Sequence, residues 1–154
     1  MILVDTNLLL YATDKSNQRH GAARAWLESK FADGTGVAFT WVALLGFIRI
    51  VTNPRIMPNR FSIADAVNHV SVWLSQPGSQ LVGPTTSHWH HLQAMLQAAP
   101  QGGNLTTDAH LAALAVEHAC ELCTADGDFS RFPGLKWRNP LSAAQTGSEP
   151  RSAA

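Results

Sequence analysis

The chain has 154 residues, and its 11 Lys and Arg balance 11 Asp and Glu to a formal net charge of zero. With 45% hydrophobic and 14% charged residues, the composition excludes general disorder and binding of nucleic acid by bulk positive charge. The length suits one domain with its own core. No segment approaches the ~18 apolar residues of a membrane span. The opening Met1–Asp5 lacks the basic stretch and cleavage site of a secretory signal. Cys120 and Cys123, the two cysteines, make no disulfide framework, so a cytoplasmic protein is expected.

Ile2–Val4 is aliphatic and is followed at once by Asp5, Thr6 and Asn7, which predicts a short buried strand running into a polar loop. Ser16–Phe31 has helical spacing, and Gly36–Thr40 reads as a second strand. Trp41–Val51 is apolar nearly all round, predicting a buried helix that stops before Asn53 and Pro54. Ser62 caps a helix to Ser75, ended by Pro77 and Gly78. Gln80–Val82 is a third strand, Ser87–Ala98 a helix and Pro100–Asn104 a loop. Thr106 or Thr107 is expected to cap a helix over Asp108–Ala119. Glu121–Thr124 and Leu135–Arg138 read as the last strands. Strands separated by helical stretches demand βαβ units. The expected architecture is a three-layer α/β/α domain around a central, mostly parallel sheet of about four to five strands. It covers residues 1–141, and 142–154, without periodicity, reads as a disordered tail.

In an open parallel sheet, ligands bind beyond the carboxyl ends of the strands. Asp5 follows the first strand, Asp126 and Asp128 follow the fourth, and Asp108 is expected in the first turn of the helix before that strand. Each has an ordinary role available: an Asx turn for Asp5, a favourable helix-dipole position for Asp108, a turn at 126–128. Their joint placement at strand ends is what points to a site. Carboxylates packed together repel, and a hard divalent cation with oxygen preference, Mg²⁺ or Mn²⁺, relieves the repulsion. Such an ion lowers the pKa of a bound water and places it for attack on a phosphodiester. No Ser/His/Asp or Cys/His constellation suggests a covalent nucleophile.

Val4-Asp5-Thr6-Asn7 with the following Leu-Leu-Leu-Tyr-Ala resembles the opening of PIN domains, specifically the VapC toxins of bacterial toxin–antitoxin pairs. Phe47–Arg55 is similar to the stretch around the family's second helix. Asn104–Ala115, Thr124–Phe129 and Phe132–Leu141 resemble its last third, so the likeness runs in order from Met1 to about Leu141. The resemblance implies a metal-dependent endoribonuclease acting on structured RNA such as tRNA or rRNA, neutralised by a VapB-type antitoxin, and a homodimer. By position it implies that Asp5, Asp108 and Asp126 are ligands of Mg²⁺ or Mn²⁺, with Asp128 a direct or water-bridged ligand. Thr6, Asn7 and Thr124 then line the site. The family usually carries a Glu three residues before an Arg on the buried second helix. Here the Arg is Arg49 and the matching position is Gly46, which removes one carboxylate. Weaker metal binding with activity retained, a degraded site, or close helix packing at Gly46 are the readings this leaves.

Arg49, Arg55 and Arg60 fall in one acid-free stretch, and Arg131, Lys136 and Arg138 in another. Arg residues of this kind can bind RNA phosphates or an antitoxin, and Arg49 is expected to be structural or site-facing. Cys120 and Cys123 have C-x-x-C spacing without a second pair, so packing is expected rather than zinc. His88, His90 and His91 have no evident carboxylate partner, which argues against a metal there. Trp26, Trp41, Trp73, Trp89 and Trp137 stand mostly at helical core spacing. Competing readings are a catalytically weakened or non-catalytic RNA-binding protein on the same scaffold, and an Asp-based phosphoryl-transfer or receiver domain. The phosphatase pattern wants Asp-x-Asp after the first strand, where this chain has Asn7.

Overall fold

The computed structural model describes residues 1–99 and 101–142. Ile2–Val4 forms β1, buried along its whole length, and helix α1 (Thr6–Thr13) follows with only Asp5 between them. The expected polar loop at 5–7 is therefore replaced by a helix. The Asp5 carboxylate caps it, accepting the Thr6 N–H at 2.7 Å, and Leu8, Leu9 and Ala12 bury its inner face. The polar letters Asp-Thr-Asn masked a strand-to-helix junction without spacer.

The chain continues through α2 (His20–Ala32), β2 (Val37–Phe39), α3 (Trp41–Val51), α4 (Ile63–Ser75), β3 (Ser79–Leu81), α5 (His88–Gln97), α6 (Asn104–Glu117) and β4 (Glu121–Cys123). A short 3-10 helix (Gly127–Arg131) and β5 (Trp137–Arg138) follow. Ser62 opens α4 as expected, in a capping box with Asp65. α6 begins earlier than expected, behind Gly103 (φ 59°) and with no side-chain cap. Thr106 and Thr107 lie inside it, which puts Asp108 in the second turn, where the helix dipole supplies little reason for an acid.

All four strand pairings are parallel, in the order β3-β2-β1-β4-β5. The chain steps outward from β1 to β3 and then returns to the other side of β1, so the topological switch point lies between the carboxyl ends of β1 and β4. Side chains alternate along each strand. Ile2, Val4, Val37, Phe39 and Cys123 join α1–α4 in one core, while Leu3, Ala38 and Leu122 join α5 and α6 in the other. The three central strands are thus apolar on both faces, as a covered parallel sheet requires, while the edge strands β3 (Ser-Gln-Leu) and β5 (Trp-Arg) are partly exposed.

Two burial expectations change. α3 is not buried all round: Trp41 and Leu45 are each 58% exposed, and with Arg49 they form an outward stripe at i, i+4, i+8. Of the tryptophans only Trp73 is buried, stacked beside Phe39, and Trp89 is exposed. Among the described residues no helix is long and apolar enough to cross a membrane. Of the expected tail, residues 143–154 lie outside the described residues.

Candidate active site

Every element around the switch point contributes a polar side chain, and the buried Thr124 ties them together. Its hydroxyl donates to Asp5 Oδ2 at 2.8 Å, and its oxygen accepts from Asn7 Nδ2 at 3.1 Å and from the Asp126 N–H at 3.0 Å. Asn7 in turn accepts the Ala125 N–H at 3.2 Å. One hydroxyl and one carboxamide therefore fix the loop after β4 against the start of α1, and with it the bearing of Asp5 and Asp126. Asp126 also caps the 3-10 helix, accepting the Asp128 N–H at 2.8 Å. Asp128 is exposed, with the Arg131 Nε donating to its carbonyl at 3.1 Å.

The role of Thr124 gives a direct expectation. Thr124→Val keeps the shape but removes a donor to Asp5 and an acceptor for Asn7 and the Asp126 N–H. Losing partners for buried polar groups costs about 2–4 kcal/mol in total, read as a fall in the thermal midpoint. Thr124→Ser should recover most of it.

Asp108 faces the same region from α6. Burial raises its carboxyl most, the negative charges of Asp5, Asp126 and Asp128 raise it further, Arg131 opposes, and the result is about 6 against 3.8 for a free Asp. Asp5 is also raised, by burial first and by Asp126 last, with the hydrogen bonds from Thr124 and Thr6 opposing. The four carboxylates singled out in the sequence thus share one field.

A cavity of about 470 Å³ opens here, lined by Asp5, Thr6, Gly46, Arg49, Thr107 and Asp108 with Val42, Leu45 and Leu111 among others. Arg49 is exposed at its wall, which replaces the structural reading with a rim position. Arg55 and Arg60 remain in the exposed α3–α4 connection and do not line it. The Thr6 hydroxyl is committed to α3, donating to the Ala43 carbonyl at 3.0 Å. A Cβ on Gly46 would meet Thr6 Oγ1 at 3.0 Å and Cγ2 at 3.4 Å. α1 and α3 therefore approach closely at Gly46, and a larger residue there would need Thr6 to shift. A larger cavity of about 1070 Å³, between α2 and α4, is lined by Leu27, Phe31, Phe61, Trp73 and others and contains none of the candidate residues.

Outside the site, both cysteines are free and buried, and burial pushes the Cys123 thiol up to about 12. The expectation that His88 lacks a carboxylate partner fails. Glu117, 29 positions away, accepts from its Nδ1 at 2.7 Å, a pairing of α5 with α6 that only tertiary packing creates.

Fold and site together define a parallel α/β domain with a hard-oxygen, carboxylate-lined centre at its switch point. The family model described as the PIN domain matches residues 2–135. Ribonuclease VapC37 of Mycobacterium tuberculosis is 40% identical over 140 residues, covering 91% of this chain and 97% of the relative. Ribonuclease VapC33 of the same species is 38% identical over 141 residues, covering 92% and 99%. VapBC2 from Rickettsia felis, solved bound to a DNA fragment from their promoter, shares the fold with a TM-score of 0.67. It is 19% identical and covers 90% of this chain and 98% of that one. The chain belongs to the PIN-domain family, among the VapC ribonucleases.

Proposed function

We propose that the chain is the toxin of a toxin–antitoxin pair: a metal-dependent endoribonuclease that cuts structured RNA and is neutralised by a VapB-type antitoxin. The carrying observation is the convergence of Asp5, Asp108, Asp126 and Asp128 on one switch point, with one carboxyl held up near 6. Such a site has an excess of negative charge and only oxygen donors, which suits Mg²⁺ or Mn²⁺. Among the described residues no three His, Cys, Asp or Glu side chains are arranged to hold an ion between them. An ion taken up here would draw part of its coordination from water, as Mg²⁺ commonly does.

Asp5, Asp108 and Asp126 are the residues offered to the ion, one or two as direct ligands and the remainder through water, with Asp128 at the exposed edge. When bound, the ion supplies charge neutralisation at the scissile phosphate and a more acidic water. The chain's own residues do the positioning. Thr124 and Asn7 hold Asp5 and Asp126 in place. Arg49 at the cavity wall, and Arg131 beyond Asp128, are set to take RNA phosphates. The relatives' ribonuclease names and the fold shared with VapBC2 support RNA as substrate and an antitoxin as partner. The apolar stripe of Trp41 and Leu45 on α3 is in keeping with a homodimer.

The test is cleavage of total tRNA and rRNA by metal-stripped protein across a Mn²⁺ titration. Cuts are expected only with the ion, and not with Asp5→Asn. RNA binding without cuts at any Mn²⁺ concentration would favour the non-catalytic reading, which the missing carboxylate at Gly46 keeps in view. The phosphoryl-transfer alternative loses support because Asn7 pins the β4 loop in place of presenting a second carboxylate.

A further inference from the structure

Away from the acids, α5 and α6 are joined by a chain of polar side chains. Glu117, with a side chain 1% exposed, accepts the Thr85 N–H at 2.8 Å through Oε1 and the His88 Nδ1–H at 2.7 Å through Oε2. His88 Nε2 lies 2.9 Å from His110 Nδ1. His118 Nε2 donates to the Gly83 carbonyl at 2.7 Å and stands 3.6 Å from Glu117 Oε1. The carboxylate can only accept, so the pairing places a proton on His88 Nδ1, and with His88 neutral its Nε2 accepts from the His110 Nδ1–H. One imidazole is thereby bonded at both ends to one helix, at positions seven residues and two turns apart.

We propose that His88 and Glu117 are positioning residues for the site, setting the rotation and register of α6 and, through it, the placement of Asp108. This rests on the reading of Asp108 as part of the metal site. Two features of α6 leave room for such a device. Its N-terminus has no side-chain cap and follows Gly102 and Gly103, both at positive φ, so the end nearest Asp108 is weakly anchored. Its buried surface is mostly alanine (Ala109, Ala112, Ala113 and Ala115), with Leu111 and Leu114 as the two large side chains, so few ridges fix its rotation against the neighbouring helix. Asp108 and His110 are two residues apart and point to different sides of the helix. A roll that lengthens the His110–His88 bond therefore swings Asp108 relative to Asp5 and Asp126.

The experiment compares His88→Leu, His88→Gln and the exposed control His90→Leu. It reads Mn²⁺ affinity by calorimetry, kcat and KM on RNA, and the thermal midpoint. Gln carries both a donor for Glu117 and an acceptor for His110. His88→Leu is expected to weaken Mn²⁺ binding and lower kcat by about three- to tenfold with KM little changed, the scale of coupling through packed networks. His88→Gln should restore most of both, and His90→Leu should match wild type. Lower thermal midpoint with unchanged Mn²⁺ affinity and kcat in His88→Leu would overturn the proposal and leave the cluster as packing alone. Should the wild-type chain bind Mn²⁺ but cut no RNA, the nuclease reading falls, and the affinity comparison still decides the positioning role.

Discussion

Asp108→Asn is expected to abolish RNA cleavage and at the same time raise the melting temperature of the metal-free protein at pH 7. The Asp108 carboxyl is held at about 6 by burial and by three neighbouring carboxylates. The folded protein binds this proton more tightly than the unfolded chain, whose value is near 3.8. Stability from this group is therefore fully present below about pH 4 and declines as pH rises through about 6. At pH 7 the ionised Asp108 strains the fold by about 1–2 kcal/mol, after discount for its partial exposure to water. The neutral carboxamide removes that strain, so a midpoint roughly 2–8 °C higher is expected in chelator at pH 7, with no gain at pH 4. Saturating Mn²⁺ should reverse the order, stabilising wild type by preferential binding to the folded state and leaving the variant nearly unmoved. A variant less stable than wild type in chelator at pH 7 would contradict the account of four carboxylates in one field.

Gly46→Glu is expected to tighten Mn²⁺ binding only when Thr6 makes room. The added Cβ would sit 3.0 Å from Thr6 Oγ1, and that hydroxyl is committed to the Ala43 carbonyl. Forcing it aside costs about 1–3 kcal/mol, offset in part by ~1 kcal/mol from removing a helical Gly. The single variant should therefore be slightly less stable than wild type, with little gain in metal affinity. Thr6→Ala combined with Gly46→Glu leaves only the Cβ of residue 6, at an ordinary 3.8 Å, and presents a further carboxylate to the cavity that Gly46 lines. Isothermal titration should show Mn²⁺ bound several-fold more tightly by the double variant, with the metal-free protein less stable at pH 7. Unchanged affinity in the double variant would rule out position 46 as the place of the family's Glu.

The order of strands and helices was legible because hydrophobic runs and turn residues are local signals. Ile2–Val4, the Ser62 cap and the helix over 88–97 all stand where periodicity and capping chemistry put them. Errors arose where a residue's role depends on a distant partner. Asp5, Thr6 and Asn7 look like a loop until Thr124 and Ala43 are brought beside them. Trp41 and Leu45 look like core because composition records apolarity and not the side on which the sheet lies.

By itself the sequence determined the chemistry available to this protein: an apolar α/β frame, carboxylates placed at strand ends, and no second carboxylate after β1. Strand alternation and capping act over a few residues, so these features survive without coordinates. Only the tertiary structure decided how those groups act on one another. It made Thr124 the shared partner of Asp5, Asn7 and Asp126, set Thr6 against Gly46, and joined His88 to Glu117 across two helices. The physical reason is that burial and proximity, which raise Asp108 to about 6, are properties of the packed volume and leave no mark on the order of residues along the chain.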